Sequence, residues 1–79
     1  MNMKVVFSNH ALLKIEQRNI DKQLVLKTVN NPDFSQPGQN FREEFYKKFG
    51  SKYLKVVIKR VKKNIVVITA HWIAKYKHN

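Results

Sequence analysis

Ile65-Val66-Val67-Ile68-Thr69-Ala70-His71-Trp72-Ile73 is the stretch on which the fold turns. Six of its nine residues are β-branched. Such side chains are stiff at χ1 and pack well on a pleated surface, so the segment reads as a strand. Strict alternation divides it into two faces. Val66, Ile68, Ala70 and Trp72 point one way, and this wholly apolar set belongs against a second layer. Ile65, Val67, Thr69, His71 and Ile73 point the other way, which brings Thr69 and His71 out on an open face.

Upstream, Tyr53 to Val61 is a second β-branched run that ends at the turn-like Lys62-Lys63-Asn64. Phe41, Phe45 and Phe49 alternate with charged and polar residues, and Gly50-Ser51 makes another turn. Three consecutive strands joined by tight turns form an antiparallel meander. Asp33 to Asn40 has the composition of a loop. Before it lie two short helices. The first runs from Asn9 to about Arg18 with Ser8 as its N-cap and Ala11, Leu12 and Ile15 at helical spacing. Asp21 caps the second, which carries Leu24, Val25, Leu26 and Val29 and stops at Asn30-Asn31-Pro32. Met3 to Phe7 is a short apolar run of edge-strand character. The expected fold class is α+β: an N-terminal αα-hairpin packed on one face of a C-terminal antiparallel meander of three to four strands. A chain of 79 residues is the size of one domain, 1–79.

Charge separates the two halves. The net charge is +11, from 16 Lys and Arg against 5 acids. All five acids (Glu16, Asp21, Asp33, Glu43, Glu44) lie at or before position 44, and residues 45–79 carry ten basic residues and no acid. A solvated lysine-rich surface is the plain explanation, but solubility is served as well by mixed signs. A half-molecule without acids points instead to a polyanionic partner, RNA first among them. No apolar stretch reaches the ~20 residues that span a bilayer, and the start has no secretory pattern. With no cysteine either, the expected compartment is the cytoplasm, away from membranes.

The residue inventory narrows the chemistry. Gly38 and Gly50 are the only glycines, so there is no glycine-rich phosphate loop, and the acids and histidines show no metal-ligand spacing. No cofactor or metal is expected. His, Lys, Arg and Thr suit metal-independent RNA cleavage, in which the substrate's own 2′-hydroxyl attacks the adjacent phosphate. Such an enzyme supplies a base, an acid and cationic stabilisation of the pentacoordinate phosphate. Histidine titrates near neutrality and arginine grips phosphate bidentately. His10, Lys14 and Arg18 form one basic stripe along the first helix. His10 serves equally well as a capping or packing residue, and Arg18 as a cation at a helix C-terminus. Lys55, Lys59 and Arg60 on the neighbouring strand are candidates for phosphate contact.

The segment His10-Ala11-Leu12-Leu13-Lys14-Ile15-Glu16-Gln17-Arg18-Asn19-Ile20 resembles the His-Ala-x-x-Arg-x-x-x-Arg-Gly-Ile opening of a family of small prokaryotic proteins described only as a domain of unknown function. The resemblance continues at Asn31-Pro32-Asp33, Tyr53-Leu54-Lys55-Val56-Val57-Ile58 and Ile65 through Trp72. That family looks related to the Barnase–EndoU–colicin–RelE group of metal-independent nucleases, many of them toxins of toxin–antitoxin pairs. The resemblance implies a RelE-like fold and places His10, Arg18, Thr69 and His71 at the family's polar motif positions. This chain departs from the pattern with Lys14 for Arg, Asn19 for Gly and His71 where Tyr is commoner.

The expected function is a metal-independent endoribonuclease, the toxin of a toxin–antitoxin pair. Its catalytic residues would be His10, His71, Arg18 and Thr69, with Lys14, Lys55, Lys59 and Arg60 binding phosphate. RNA, including ribosome-associated mRNA, and an acidic antitoxin are the expected partners. Two other readings stay open: a module that holds RNA or DNA without cutting it, and a basic interaction protein that docks on an acidic partner. The two-histidine form of the enzyme reading requires both imidazoles to reach one phosphate-sized space.

Overall fold

A computed structural model describes residues 4–74. In chain order the elements are β1 (Lys4–Phe7), α1 (Asn9–Gln17), α2 (Lys22–Asn30), β2 (Phe34–Pro37), β3 (Arg42–Phe49), β4 (Lys52–Val61) and β5 (Asn64–Ile73). The five strands form one sheet in the order β1-β5-β4-β3-β2. β2 to β5 are antiparallel to their neighbours, whereas β1 pairs parallel with β5, from Lys4 opposite Asn64 to Phe7 opposite Val67. The basic tail Lys75–Asn79 lies outside the described residues.

The expected architecture is corrected here. The chain opens on a strand, not on an αα-hairpin, and the sheet is mixed, with strands dominating over helices. The run ending at Phe7 is a sheet member because it finds the edge of β5, the most apolar strand. A second departure is β2, which occupies Phe34–Pro37 inside the loop-like segment. Ser, Gln and Pro are poor strand formers, but Pro37 ends an edge strand, where its missing N–H costs no ladder bond. Phe34 also stacks on Tyr46 of β3, ring centroids 4.8 Å apart.

Because β1 and β2 lie at opposite edges, the two helices carry the chain across one face of the sheet. α1 packs on β5, and α2 packs on β4 and β3. The caps expected from sequence form: Ser8 accepts from the Ala11 N–H at 3.0 Å and Asp21 from the Gln23 N–H at 2.8 Å. α1 ends in a Schellman closure, with Ile20 N–H on Ile15 O at 2.9 Å and Asn19 N–H on Glu16 O at 3.2 Å. Asn19 takes the left-handed position at φ 54°, which asparagine tolerates better than most residues. Ile15 and Ile20 are both buried, so the turn is fixed by packing as well.

The core lies between helices and sheet: Ala11, Ile15, Ile20, Val25 and Val29 meet Phe45, Leu54, Val56, Ile58, Ile65, Val67 and Ala70. On β5 this set breaks strict alternation. Val57 stands opposite Thr69, but Ile58 stands opposite Val67, so Ile68 is an extra residue on β5. A bulge of this kind resets the side-chain alternation. Past it Ala70 and Trp72 face the helices and Thr69 and His71 face out, as expected from sequence. Before it the expected faces are reversed: Ile65 and Val67 are buried in the core, while Val66 shares the open face with Lys59.

Candidate active site on the open sheet face

The register places side chains of the uncovered face in rows. Gln36, Glu44, Val57 and Thr69 form one row across β2, β3, β4 and β5; Phe34, Tyr46, Lys55 and His71 form the next. Arg42, Lys59 and Val66 lie beyond the first row, and Lys48, Tyr53 and Ile73 beyond the second. Among the described strand positions of this face, Glu44 is the single carboxylate, set among Lys4, Arg42, Lys48, Lys55 and Lys59.

Arg18 joins this face from the other layer. β1 pairs with β5 only as far as Val67, and beyond that point Arg18, at the C-cap of α1, takes up the edge. Its Nη1 donates to the Ala70 carbonyl at 2.9 Å and to Thr69 Oγ1 at 3.2 Å. These contacts engage one of three nitrogens in a group with five N–H donors. Arg18 therefore does more than complement the helix dipole. Its guanidinium is fastened beside Thr69 and His71.

His71 is half-buried, and its pKa is lowered from the ordinary histidine value. Burial is the largest cause, followed by the positive charges of Lys55 and Arg18; Glu44 acts the other way. The neutral imidazole is accordingly favoured. Lys55 stands directly across the ladder from it. The Lys55 ammonium is 3.7 Å from Glu44 Oε2 and 5.9 Å from the Tyr46 ring centroid. Glu44 also accepts from Gln36 Nε2 at 2.8 Å and from the Tyr46 hydroxyl at 3.0 Å. These bonds and Lys55 hold its carboxyl below the usual range, the Gln36 bond contributing most.

Arg18, Thr69, His71 and Lys55 are thus brought together. Of the other expected site residues, Lys59 shares the open face and Arg60 does not. His10 is exposed in the first turn of α1, two helical turns and about 12 Å of axis from Arg18. Lys14 is half-buried on α1. Lys59 is exposed on the open face, one row past Glu44. Arg60 points to the helix side, where it pairs with Glu43.

Glu44, Tyr46 and Gln36 were not legible as site residues. Phe45 and Phe49 mark the other face of β3, and the composition of Asp33 to Asn40 is that of a loop. A signal was available in Glu44-Phe45-Tyr46, where strict alternation sets Glu44 and Tyr46 together opposite Phe45. Among the described residues, no group of three or more His, Cys, Asp or Glu could hold a metal ion. Nor is any of their helices long and apolar enough to cross a membrane.

Fold and site define a strongly basic domain, two helices on a mixed five-stranded sheet, whose open face presents an arginine, a lysine and a histidine around a hydroxyl. The family model for a domain of unknown function, DUF4258, matches residues 7–72, and the chain belongs to that family. The matched span contains Arg18, Lys55, Thr69 and His71, and His10 as well. No curated protein and no solved structure matches the chain.

Proposed function

We propose that this protein is a metal-independent endoribonuclease, cytoplasmic and acting as the toxin of a toxin–antitoxin pair. The reading is carried by one observation: a guanidinium anchored on Thr69 and Ala70, beside an imidazole whose neutral form is favoured and which faces a lysine across the ladder. An anion placed there meets two cations and a base. His71 takes the proton of the substrate 2′-hydroxyl as its oxygen attacks phosphorus. Arg18 bears the charge gathering on the phosphoryl oxygens, and the Lys55 ammonium donates a proton to the departing 5′-oxygen. The products are a 2′,3′-cyclic phosphate and a free 5′-hydroxyl. Thr69 acts through Arg18, as its positioning residue. The toxin role is supported by the resemblance to RelE-related nucleases and by the +11 charge, which an acidic antitoxin would neutralise.

The test begins with binding. If a single strand places about four phosphates on this face, the slope of log affinity against log salt is near −3. Reversing Lys55 and Lys59 to Glu abolishes binding, whereas reversing Lys27, exposed on α2 behind the sheet, changes it little. Equal losses from both would assign binding to diffuse charge and remove the open face from the mechanism. Binding that depends on the face, without release of a cyclic phosphate in EDTA, would make the protein a binding module instead.

A further inference from the structure

The hairpin between β2 and β3 has an unusual tip. Arg42 N–H bonds to Gln39 O at 3.1 Å, which closes a turn with Asn40 and Phe41 at its centre. Both central residues have positive φ, 56° and 62°, the type I′ geometry. That turn favours Asn followed by Gly, because the second central position is left-handed as well. Here the second position is Phe41, whose bulky side chain disfavours that conformation, and its ring is 94 % exposed. The folded chain gains no burial from a phenylalanine placed there. Strain kept at an exposed aromatic points to a role outside the fold.

The place it occupies says which role. A groove of about 450 Å3 lies on the open face, lined by hairpin residues including Gln39 and Asn40 and by Arg42, Glu44, Val57 and Thr69. Thr69, the residue that holds Arg18, is at its β5 side; Asn40 and Arg42, which flank Phe41, are at its hairpin side. The groove therefore runs from Thr69, which holds Arg18, to Asn40 and Arg42 on either side of Phe41. Tyr46 and Phe34 cannot serve as an aromatic platform in the same way, since they stack on each other and Tyr46 is buried.

We propose that the β2–β3 hairpin is a nucleobase-binding subsite, in which Phe41 stacks on a base of single-stranded RNA whose backbone continues across the open face, over a few nucleotides, to a phosphate at Arg18, His71 and Lys55. The subsite rests on the ribonuclease reading for its phosphate anchor. An unpaired base offers a ring face of nucleotide size, and the basic rows beside the groove supply the charge its backbone needs. Gln39 and Asn40 line the groove, so their side-chain amides are available to the edge of a base that enters it. Stacking on Phe41 tolerates any base, so preference among bases comes from these amides.

The variant that separates this role from a structural one is Phe41→Gly. It relieves the left-handed strain, so its melting temperature rises. It also removes the stacking surface, so affinity for a short single-stranded RNA, made uncleavable by 2′-deoxy substitution, falls roughly 5- to 100-fold. Phe41→Trp keeps wild-type affinity. A 2-aminopurine placed in turn at each position is quenched at one position by the wild type and by Phe41→Trp, and at none by Phe41→Gly. Binding that needs Arg18 and Lys55 but is unchanged in Phe41→Gly would overturn the subsite while leaving the ribonuclease reading intact; the exposed ring would then fit a protein partner. Binding indifferent to Arg18 and Lys55 as well would overturn both. A melting temperature lowered by Phe41→Gly would show that the ring supports the fold, and would also overturn the subsite.

Discussion

At the scale of single residues, His71 is defined by what surrounds it. Partial burial and two nearby cations disfavour its protonated form, so its pKa lies below the ordinary value of about 6.5. As the general base it must be neutral, and the acid limb of the rate–pH profile falls correspondingly low. Lys55→Ala removes a positive charge and raises the His71 pKa, so the limb moves to higher pH. Glu44→Gln removes the one charge that favours the imidazolium, so the limb moves to lower pH. Both displacements are read from kcat/KM between pH 4.5 and 8, and a limb unmoved by either variant would take His71 out of the rate equation. The candidates Thr69, His71 and Lys55 could be named from the sequence because the strands carrying them are strongly patterned, and Arg18, Thr69 and His71 because the family resemblance puts them at its polar motif positions. His10 and Arg60 read equally well as chemistry, but helical phase and strand parity carry them elsewhere, and no composition shows that.

Among the elements, two local irregularities place the site. The Ile68 bulge sends Thr69 and His71 outward while letting Ile65 and Val67 stay in the core. Alternation counted from Trp72 gives the right faces as far back as Thr69 and the wrong ones before it. A bulge has no residue signature in a run where every candidate is β-branched or small. The Schellman turn after α1 was legible only as a break at Asn19-Ile20, yet it sets where Arg18 leaves the helix. Asn19→Val puts a β-branched residue in a left-handed position and should cost about 1–2 kcal/mol, seen as a lower denaturant midpoint with unchanged slope. Because Arg18 is the C-cap of the same turn, RNA cleavage should fall by more than the unfolded fraction explains. A fall matched by that fraction alone would show that the turn does not position Arg18.

For the molecule as a whole, the mixed sheet is what sequence patterning could not deliver. Helix and meander segments announce themselves by period, but pairing β1 with β5 joins residues sixty apart, a contact no local pattern encodes. Among the described residues the same topology leaves one face uncovered by helix, because both helices are used in crossing the other. Trp72 sits on the covered side, half-buried and edge-on to Phe49, ring centroids 6.1 Å apart. Trp72→Ala should cost roughly 2–3 kcal/mol, below the 3–5 typical of a fully buried ring, and leave a folded but less stable domain. A thermal midpoint equal to wild type would mean that this end of the sheet is not part of the core.

The ribonuclease reading meets its most direct test in single-turnover cleavage of one single-stranded RNA, in EDTA, by the wild type, His71→Ala and His10→Ala. The expected result is a 2′,3′-cyclic phosphate product from the wild type. His71→Ala should lose on the order of 10²–10⁴ in rate with RNA affinity nearly unchanged, the usual contribution of a general base. His10→Ala should stay within a few-fold of wild type, since His10 stands outside the cluster. Wild-type cleavage by His71→Ala, or no cleavage by the wild type itself, would contradict an active site on the open face.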